Sequence, residues 1–299
     1  MQRAQLIMNP EARRVTPAMQ RVVESALRAR FKLDAVVTKA RDSAIEVARD
    51  AVESGAELIV AFGGDGLVNE VVNGIAEGDA TLAIVPGGTM NVLARNLGIP
   101  KDPLEATDKI LRSAGTVAPK EIRLGLAGDR LFTFVCGCGF DAEVAEWIET
   151  HKPSKRRFGE PYFYAAGVTT FLRRYAGRRP YLRCEGDFGT AEGVLAMGLR
   201  SSHYAYLAGR PVRLGHSDPD DDKVDLFLLR DMRPWRLPAY ALGAFVTGRF
   251  GADSLRAQGL ESFTVSSGSA FPVHVDGEPI EPVSRLEVGV SPKKLKVLV

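Results

Sequence analysis

The fold class this sequence predicts is an α/β N-terminal domain built on a parallel sheet, followed by a β-rich, β-sandwich-type C-terminal domain with a few helices. Three observations carry that expectation. The first third of the chain alternates short apolar runs with helix-like segments, the signature of βαβ units. Near Pro119 the pattern changes, and β-like runs dominate from there on. Two of the early apolar runs also end in glycine-rich turns that open helices, Gly63-Gly64-Asp65-Gly66 and Pro86-Gly87-Gly88. Such turns lie at the carboxyl edge of an open parallel sheet, where α/β folds bind ligands.

The elements follow in order. Ala4–Met8 reads as a buried strand, and a helical pattern runs from Pro17 to Arg30. Phe31–Thr38 is strand-like, and Ser43–Ser54 is helix-like with Ile45, Val47, Ala48, Ala51 and Val52 on its apolar face. Glu57–Phe62 and Thr81–Val85 are strands, Leu67–Ile75 is helical, and further helices are expected from Asn91 and over Pro103–Ser113. Past the boundary, Glu121–Leu126 and Leu131–Cys136 flank a turn and predict a β-hairpin. Later β-like runs are 193–199, 224–229, 263–266, 272–275 and 286–290, interrupted by helical segments at Tyr162–Tyr175 and Trp235–Arg249. The expected domains are 1–118 and 119–291; the sequence leaves open whether 292–299 returns to the first.

The bulk composition is globular, with 45% hydrophobic and 25% charged residues, enough to bury a sizeable core. A net charge of only +2 gives no global pull toward nucleic acid. Charge is uneven, however: His151–Arg183 holds nine Lys or Arg against one acid, Glu160. A run of this kind is usually a solvated face. Its interleaving with Tyr162, Phe163, Tyr164, Phe171 and Tyr175 also suits an anionic membrane surface, as a peripheral partner. No apolar stretch reaches the ~20 residues of a membrane span, and the N-terminus lacks the pattern of a signal peptide. Of the three cysteines, Cys136 and Cys138 form a C-x-C on one face of a strand, which predicts core packing in a reducing, cytoplasmic compartment.

The chemistry is carried by three motifs. Glycines at 63, 64 and 66 let backbone approach phosphate, and the helix that follows offers unpaired N–H groups and a favourable dipole. The motif is neither G-x-x-x-x-G-K-[ST] nor G-x-G-x-x-G, which argues against P-loop and dinucleotide-binding readings. Pro86-Gly87-Gly88-Thr89-Met90-Asn91 repeats the strand–turn–helix context. Val275-Asp276-Gly277-Glu278 places two acids around a glycine after a β-like run, where one acid could accept a proton from a substrate hydroxyl.

Together these residues resemble the diacylglycerol kinase catalytic family and its sphingosine and ceramide kinase relatives. The likeness runs through nearly the whole chain: Asn9-Pro10, Thr38, G-G-D-G-x-x-N-E-V-V-N-G at 63–74, P-G-G-T-x-N at 86–91, C-G-F-D-A-E-V at 138–144, D-D-x-K-V-D at 220–225 and V-D-G-E at 275–278. The resemblance implies an NAD kinase-like first domain and an ATP- and Mg²⁺-dependent kinase acting on a diacylglycerol-like lipid alcohol. A sphingoid base as acceptor, or a pseudokinase that binds without transfer, stays open. It implies an ATP site lined by Asn9, Thr38, Gly63, Gly64, Asp65, Gly66, Leu67, Val68, Asn69 and Thr89. It implies an acidic pair, Asp276 and Glu278, with Glu278 as general base, while Asp65 helps hold the metal–phosphate assembly and is the alternative base. It also implies a structural Mg²⁺ on the Asp221 carboxylate with backbone oxygens of Asp218 and Lys223; the competing reading of that acidic cluster is a solvated turn. Whether two copies pair as a homodimer is left open.

Several positions depart from the family pattern. Leu67 replaces a usual Thr, Val92 and Arg123 stand where Asp is common, Asp222 replaces the Gly of D-D-G, and no Gly follows Asn9-Pro10. NAD kinase shares the G-G-D-G turn, but its second motif has no match here.

Overall fold

In the computed structural model the described residues are 1–151, 160–207, 210–217, 220–243 and 253–299. They form two compact units, Met1–Arg123 with Pro292–Val299, and Leu124–Ser291.

The first unit is built on parallel strands β1 (Arg3–Met8), β2 (Lys32–Val37), β3 (Leu58–Gly63) and β4 (Thr81–Pro86), in the spatial order β4-β3-β1-β2. β3 is buried at all six positions, as expected of a strand covered on both faces, which is why it reads as an unbroken apolar run. Helices α1 (Pro17–Arg28), α2 (Ser43–Glu53), α3 (Asp65–Ile75), α4 (Val92–Asn96) and α5 (Pro103–Ser113) connect the strands. Two begin on strong start signals: Thr16 caps Met19 N–H ahead of Pro17, and Asp102 caps Leu104 N–H ahead of Pro103. Gly74 lets α3 lie against α2, because a Cβ there would sit 2.5 Å from the Ile45 carbonyl. The chain end completes this sheet: Lys296 and Val297 pair in parallel with Thr81 and Leu82 of β4, and Leu298 joins the core with Val60, Val85 and Ile110.

The second unit is β-rich. β5 (Lys120–Ala127) and β6 (Arg130–Phe132) form a hairpin, and β7 (Val135–Gly139) leads into α6 (Phe140–Thr150). α7 (Glu160–Thr170) continues as a π turn, Phe171–Tyr175, before β8 (Leu182–Gly186), β9 (Gly189–Gly193), β10 (Leu195–Leu199), β11 (His203–Leu207), β12 (Arg210–Arg213) and β13 (Val224–Leu229). A short 3₁₀ turn (Pro234–Arg236) and α8 (Leu237–Leu242) precede β14 (Ser254–Leu260), β15 (Ser262–Val275) and β16 (Glu278–Val297). β15 is long enough to pair with β8 through 264–266 and with β7 through 273–275, besides β16. Side chains from both regions, including Cys184, Ala191, Cys138, Leu228 and Val273, share one core. Cys136, Cys138 and Cys184 are all buried free thiols in it, and burial pushes the Cys184 thiol up to about 12.

Two sequence expectations change, and one helix, α6, is not among the expected elements. The predicted strand Leu131–Cys136 is two strands, broken at Thr133–Phe134; β7 pairs with β10 and β15 rather than with β5. The helix predicted over Trp235–Arg249 is helical at 234–242, and its remainder from 244 lies outside the described residues. α6 was legible only as a motif; Gly139 ahead of it holds φ 77°, and a Cβ there would meet the Val194 carbonyl at 2.5 Å.

Candidate functional site

The carboxyl edge of the first unit's sheet gathers the expected nucleotide residues. Asn9 follows β1 and donates its N–H to the Phe62 carbonyl of β3 (3.1 Å), while Thr38 follows β2 and donates to Met8 (2.8 Å). Gly63 and Pro86 are in register, and Gly87 N–H donates to the Gly63 carbonyl at 2.7 Å. The two glycine-rich turns therefore lie side by side. A Cβ on Gly88 would come 2.6 Å from the Gly64 Cα, so this approach needs glycine. Gly64 itself holds φ −93°, so its requirement is closeness and not a left-handed backbone.

Side chains then lock the turns. Asp65 accepts the N–H of Val92 at 2.6 Å, joining the start of α3 to the start of α4. This explains why Val92 is tolerated where Asp is usual: position 92 contributes its backbone, and its side chain is buried. Asn91, in the left-handed region at φ 47°, accepts from Gly88 N–H and donates to Gly88 O. Leu67, Val68 and Asn69 are buried, and Asn69 Oδ1 accepts from Asn73. Val68 N–H is already bonded to the Gly64 carbonyl at 3.1 Å, so what this eleven-residue helix can offer a ligand is the backbone of its N-terminal turn, residues 65–67. The first N–H groups of such a turn have no intrahelical partner and favour anions. Asn9 Oδ1 is engaged by Glu11 N–H, and Thr89 is half-buried beside Gly88.

In the second unit, Asp276 and Gly277 form the two-residue turn between β15 and β16, with φ 50° and 85°. An Asp-Gly pair with both φ positive suits the tight turn that right-twisted strands prefer. The Asp276 carboxylate is buried and accepts from Thr133 N–H (2.7 Å), Thr133 Oγ1 (2.9 Å), Phe134 N–H (3.0 Å) and Val135 N–H (3.1 Å). It is what breaks the strand at 133–134. Glu278, two residues on, is half-buried at the head of β16.

A buried polar relay that the sequence did not single out supports the turn from below. Gly277 N–H donates to His274 Nδ1 at 3.1 Å. The ring proton therefore sits on Nε2, which donates to Asp141 Oδ2 at 2.5 Å. Tyr204 donates its hydroxyl to Asp141 Oδ1 at 2.6 Å; burial and the adjacent carboxylate push that phenol well above its ordinary range. Asp141 lies inside the C-G-F-D-A-E-V stretch, and Gly137 leaves the room, since a Cβ there would meet His274 Nε2.

The expected metal residues lie at the entry to β13, three places from β15 in the order β13-β10-β7-β15. Asp218 is outside the described residues. The Lys223 carbonyl accepts from Arg200 Nη1, and the Asp221 carbonyl accepts from Arg200 Nη2 at 2.5 Å. These oxygens already face a guanidinium, and among the described residues no three His, Cys, Asp or Glu side chains gather for a metal.

Residues 3–119 match the family model described as the diacylglycerol kinase catalytic domain. The chain is 31% identical over 274 residues to a Pseudomonas aeruginosa (strain UCBPP-PA14) protein named "Probable lipid kinase YegS-like", covering 87% of this chain and 82% of that one. It is 32% identical over 173 residues to the diacylglycerol kinase of Bacillus subtilis (strain 168), covering 56% of this chain and 55% of that one. In fold it is similar to a crystal structure of a diacylglycerol kinase from Bacillus anthracis str. Sterne (TM-score 0.70, 21% identity, 99% of this chain and 96% of that one). An NAD kinase from Archaeoglobus fulgidus in complex with ATP is also similar in fold (TM-score 0.58, 12% identity, 99% and 93%). The NAD kinase-like α/β unit and the β-rich second unit are thus the fold expected from the sequence.

Proposed function

This chain belongs to the diacylglycerol kinase catalytic family and is a lipid kinase, and from that premise we propose that it transfers the γ-phosphate of ATP·Mg²⁺ to the hydroxyl of a diacylglycerol-like lipid. The observation that carries the nucleotide half is the pair of abutting glycine turns, Gly63-Gly64 and Gly87-Gly88, at one sheet edge. The first N–H groups of α3 would hold the phosphates, with Thr38 and Asn9 beside them and Asp65 keeping the two turns in register, and the glycines would let the phosphates approach the backbone closely. Gly87 and Gly88 donate their own N–H groups to Gly63 O and Asn91 Oδ1. Mg²⁺, arriving with the nucleotide, would neutralise charge that develops on the transferred phosphoryl group.

Glu278 would take the proton from the lipid hydroxyl as the oxygen–phosphorus bond forms and the bond from the γ-phosphorus to the leaving ADP oxygen breaks. Asp276 supports this by fixing the turn and not by touching the reacting atoms, because its oxygens are occupied by four donors from 133–135. The His274–Asp141 relay holds Gly277 from the other side. The test is an acceptor panel with labelled ATP: diacylglycerol should be labelled in a Mg²⁺-dependent manner, ahead of sphingosine and ceramide. Label passing to NAD and to no lipid would overturn the reading.

We further propose peripheral docking on anionic bilayers through the α7 region, in a cytoplasmic setting. Val168 and Leu172, one helical turn apart, are 44% and 60% exposed, and Arg173 beside them is exposed. Arg174 and Arg178 are less available, since both pair with Glu143; Lys152, Lys155, Arg156 and Arg157 lie outside the described residues. A basic residue near such a surface contributes ~1 kcal/mol, and Leu burial adds about 2 kcal/mol. Leu172→Asp with Arg173→Gln should therefore weaken flotation on anionic vesicles at least ~10-fold and leave a short-chain acceptor phosphorylated as before. Equal wild-type binding to neutral and anionic vesicles would favour the solvated-face reading instead. Among the described residues no helix is long and apolar enough to cross a membrane.

A further inference from the structure

Arg200 is fully buried and is the largest such side chain among the described residues. It follows β10 directly, with its N–H on the Phe134 carbonyl at 3.0 Å. A guanidinium keeps its charge in any protein environment, so burying one is costly unless oxygens surround it. Here the segment 220–223 turns its backbone inward to supply them, the Lys223 carbonyl to Nη1 and the Asp221 carbonyl to Nη2. The neighbouring Asp225 is buried as well, and its carboxylate accepts the N–H groups of His216 (2.6 Å), Ser217 (2.9 Å) and Gly259 (3.0 Å). Two loop segments, 216–217 and 220–223, and Gly259 of β14 thus converge on one buried cation and one buried anion.

We propose that Arg200 is a built-in cation that orders the 220–225 segment in place of a divalent metal ion. Carbonyl oxygens converging on one point are what Mg²⁺ or Ca²⁺ would require, and here the point is already taken. A metal ion at ~2.1 Å from either oxygen would lie against the guanidinium N–H groups, two like charges without intervening water. Lys223 O, the one backbone oxygen of the implied Mg²⁺ set that is described, therefore already faces a fixed cation and does not suit the structural Mg²⁺ that family resemblance implies. The planar fork suits this task, since two nitrogens of one rigid group reach two separate carbonyls. This inference concerns folding and is independent of the phosphoryl-transfer reading.

The experiment is thermal denaturation of the nucleotide-free, full-length protein in EDTA and in millimolar Mg²⁺ or Ca²⁺, with elemental analysis of the purified protein. The wild type should carry no stoichiometric divalent metal, and its melting point should agree within about 1 °C across all three conditions, since an ion that does not bind the native state cannot stabilise it. Arg200→Met, which keeps bulk and removes every donor, should melt at least ~5 °C lower. Should that variant fail to fold, Arg200→Lys, with one ammonium for two carbonyls, should fall between the two. A stoichiometric metal, a wild-type melting point raised by several degrees with Mg²⁺ or Ca²⁺, or an Arg200→Met protein as stable as the wild type would each overturn the proposal.

Discussion

Replacing Glu278 by Gln is expected to lower the rate of phosphoryl transfer by about 10³-fold while nucleotide affinity changes less than about tenfold, because the amide keeps the shape of the side chain and cannot accept a proton. Glu278 is suited to the role by its position. It is half-buried, and it leaves a turn whose geometry is fixed twice, by the four donors on Asp276 and by the His274 ring on Gly277 N–H. Its neighbour provides the contrast. Asp276→Asn leaves one acceptor oxygen and aims an NH₂ group at backbone donors, leaving buried N–H groups unsatisfied at roughly 1–3 kcal/mol each. That variant should lose melting temperature as well as activity, whereas Glu278→Gln should melt like the wild type. Near-normal transfer by Glu278→Gln would move the base elsewhere, with Asp65 the first residue to test.

Gly88→Val is expected to abolish measurable nucleotide binding. A Cβ at 88 would already sit 2.6 Å from Gly64 Cα and 3.0 Å from Asn91 Oδ1, and real Cβ atoms do not approach backbone so closely. Either the two turns separate or the Asn91 bonds to Gly88 break, and both outcomes remove the phosphate cradle. Gly64→Val should be milder, because its Cβ would meet Gly88 Cα at an ordinary 3.4 Å and its backbone is extended. Calorimetric titration with an ATP analogue separates the cases. Unchanged affinity in Gly88→Val would mean that the turns serve packing and the nucleotide binds elsewhere.

The first unit was legible because its inner strands β1, β3 and β4 are mostly buried along their length and two of them end in glycine turns, so that runs such as Leu58–Phe62 stand out. The turns could be placed at one edge from the order of elements alone. What could not be read was long-range. The break at Thr133–Phe134 is imposed by Asp276, more than a hundred residues away in sequence, so Leu131–Cys136 looked like one strand. Leu67, Val68 and Asn69 belong to the glycine-rich motif expected to bind phosphate, yet helix geometry turns them into the core. His274 and Asp141 meet only once β15 pairs beside β7. Arg200 carried no local signal at all, being a lone Arg after an apolar strand; its role appears only when the 221 and 223 carbonyls are seen to face it.

The central claim is that phosphate moves from ATP to a lipid hydroxyl. Its most direct test is incubation of the purified protein with diacylglycerol in mixed micelles, Mg²⁺ and ATP labelled at either the γ or the α position, followed by organic extraction. The account predicts γ-label in the organic phase as the phosphomonoester of the added lipid, none from α-label, and none when EDTA is present. γ-Label that stays entirely in the aqueous phase across diacylglycerol, sphingosine and ceramide would contradict it.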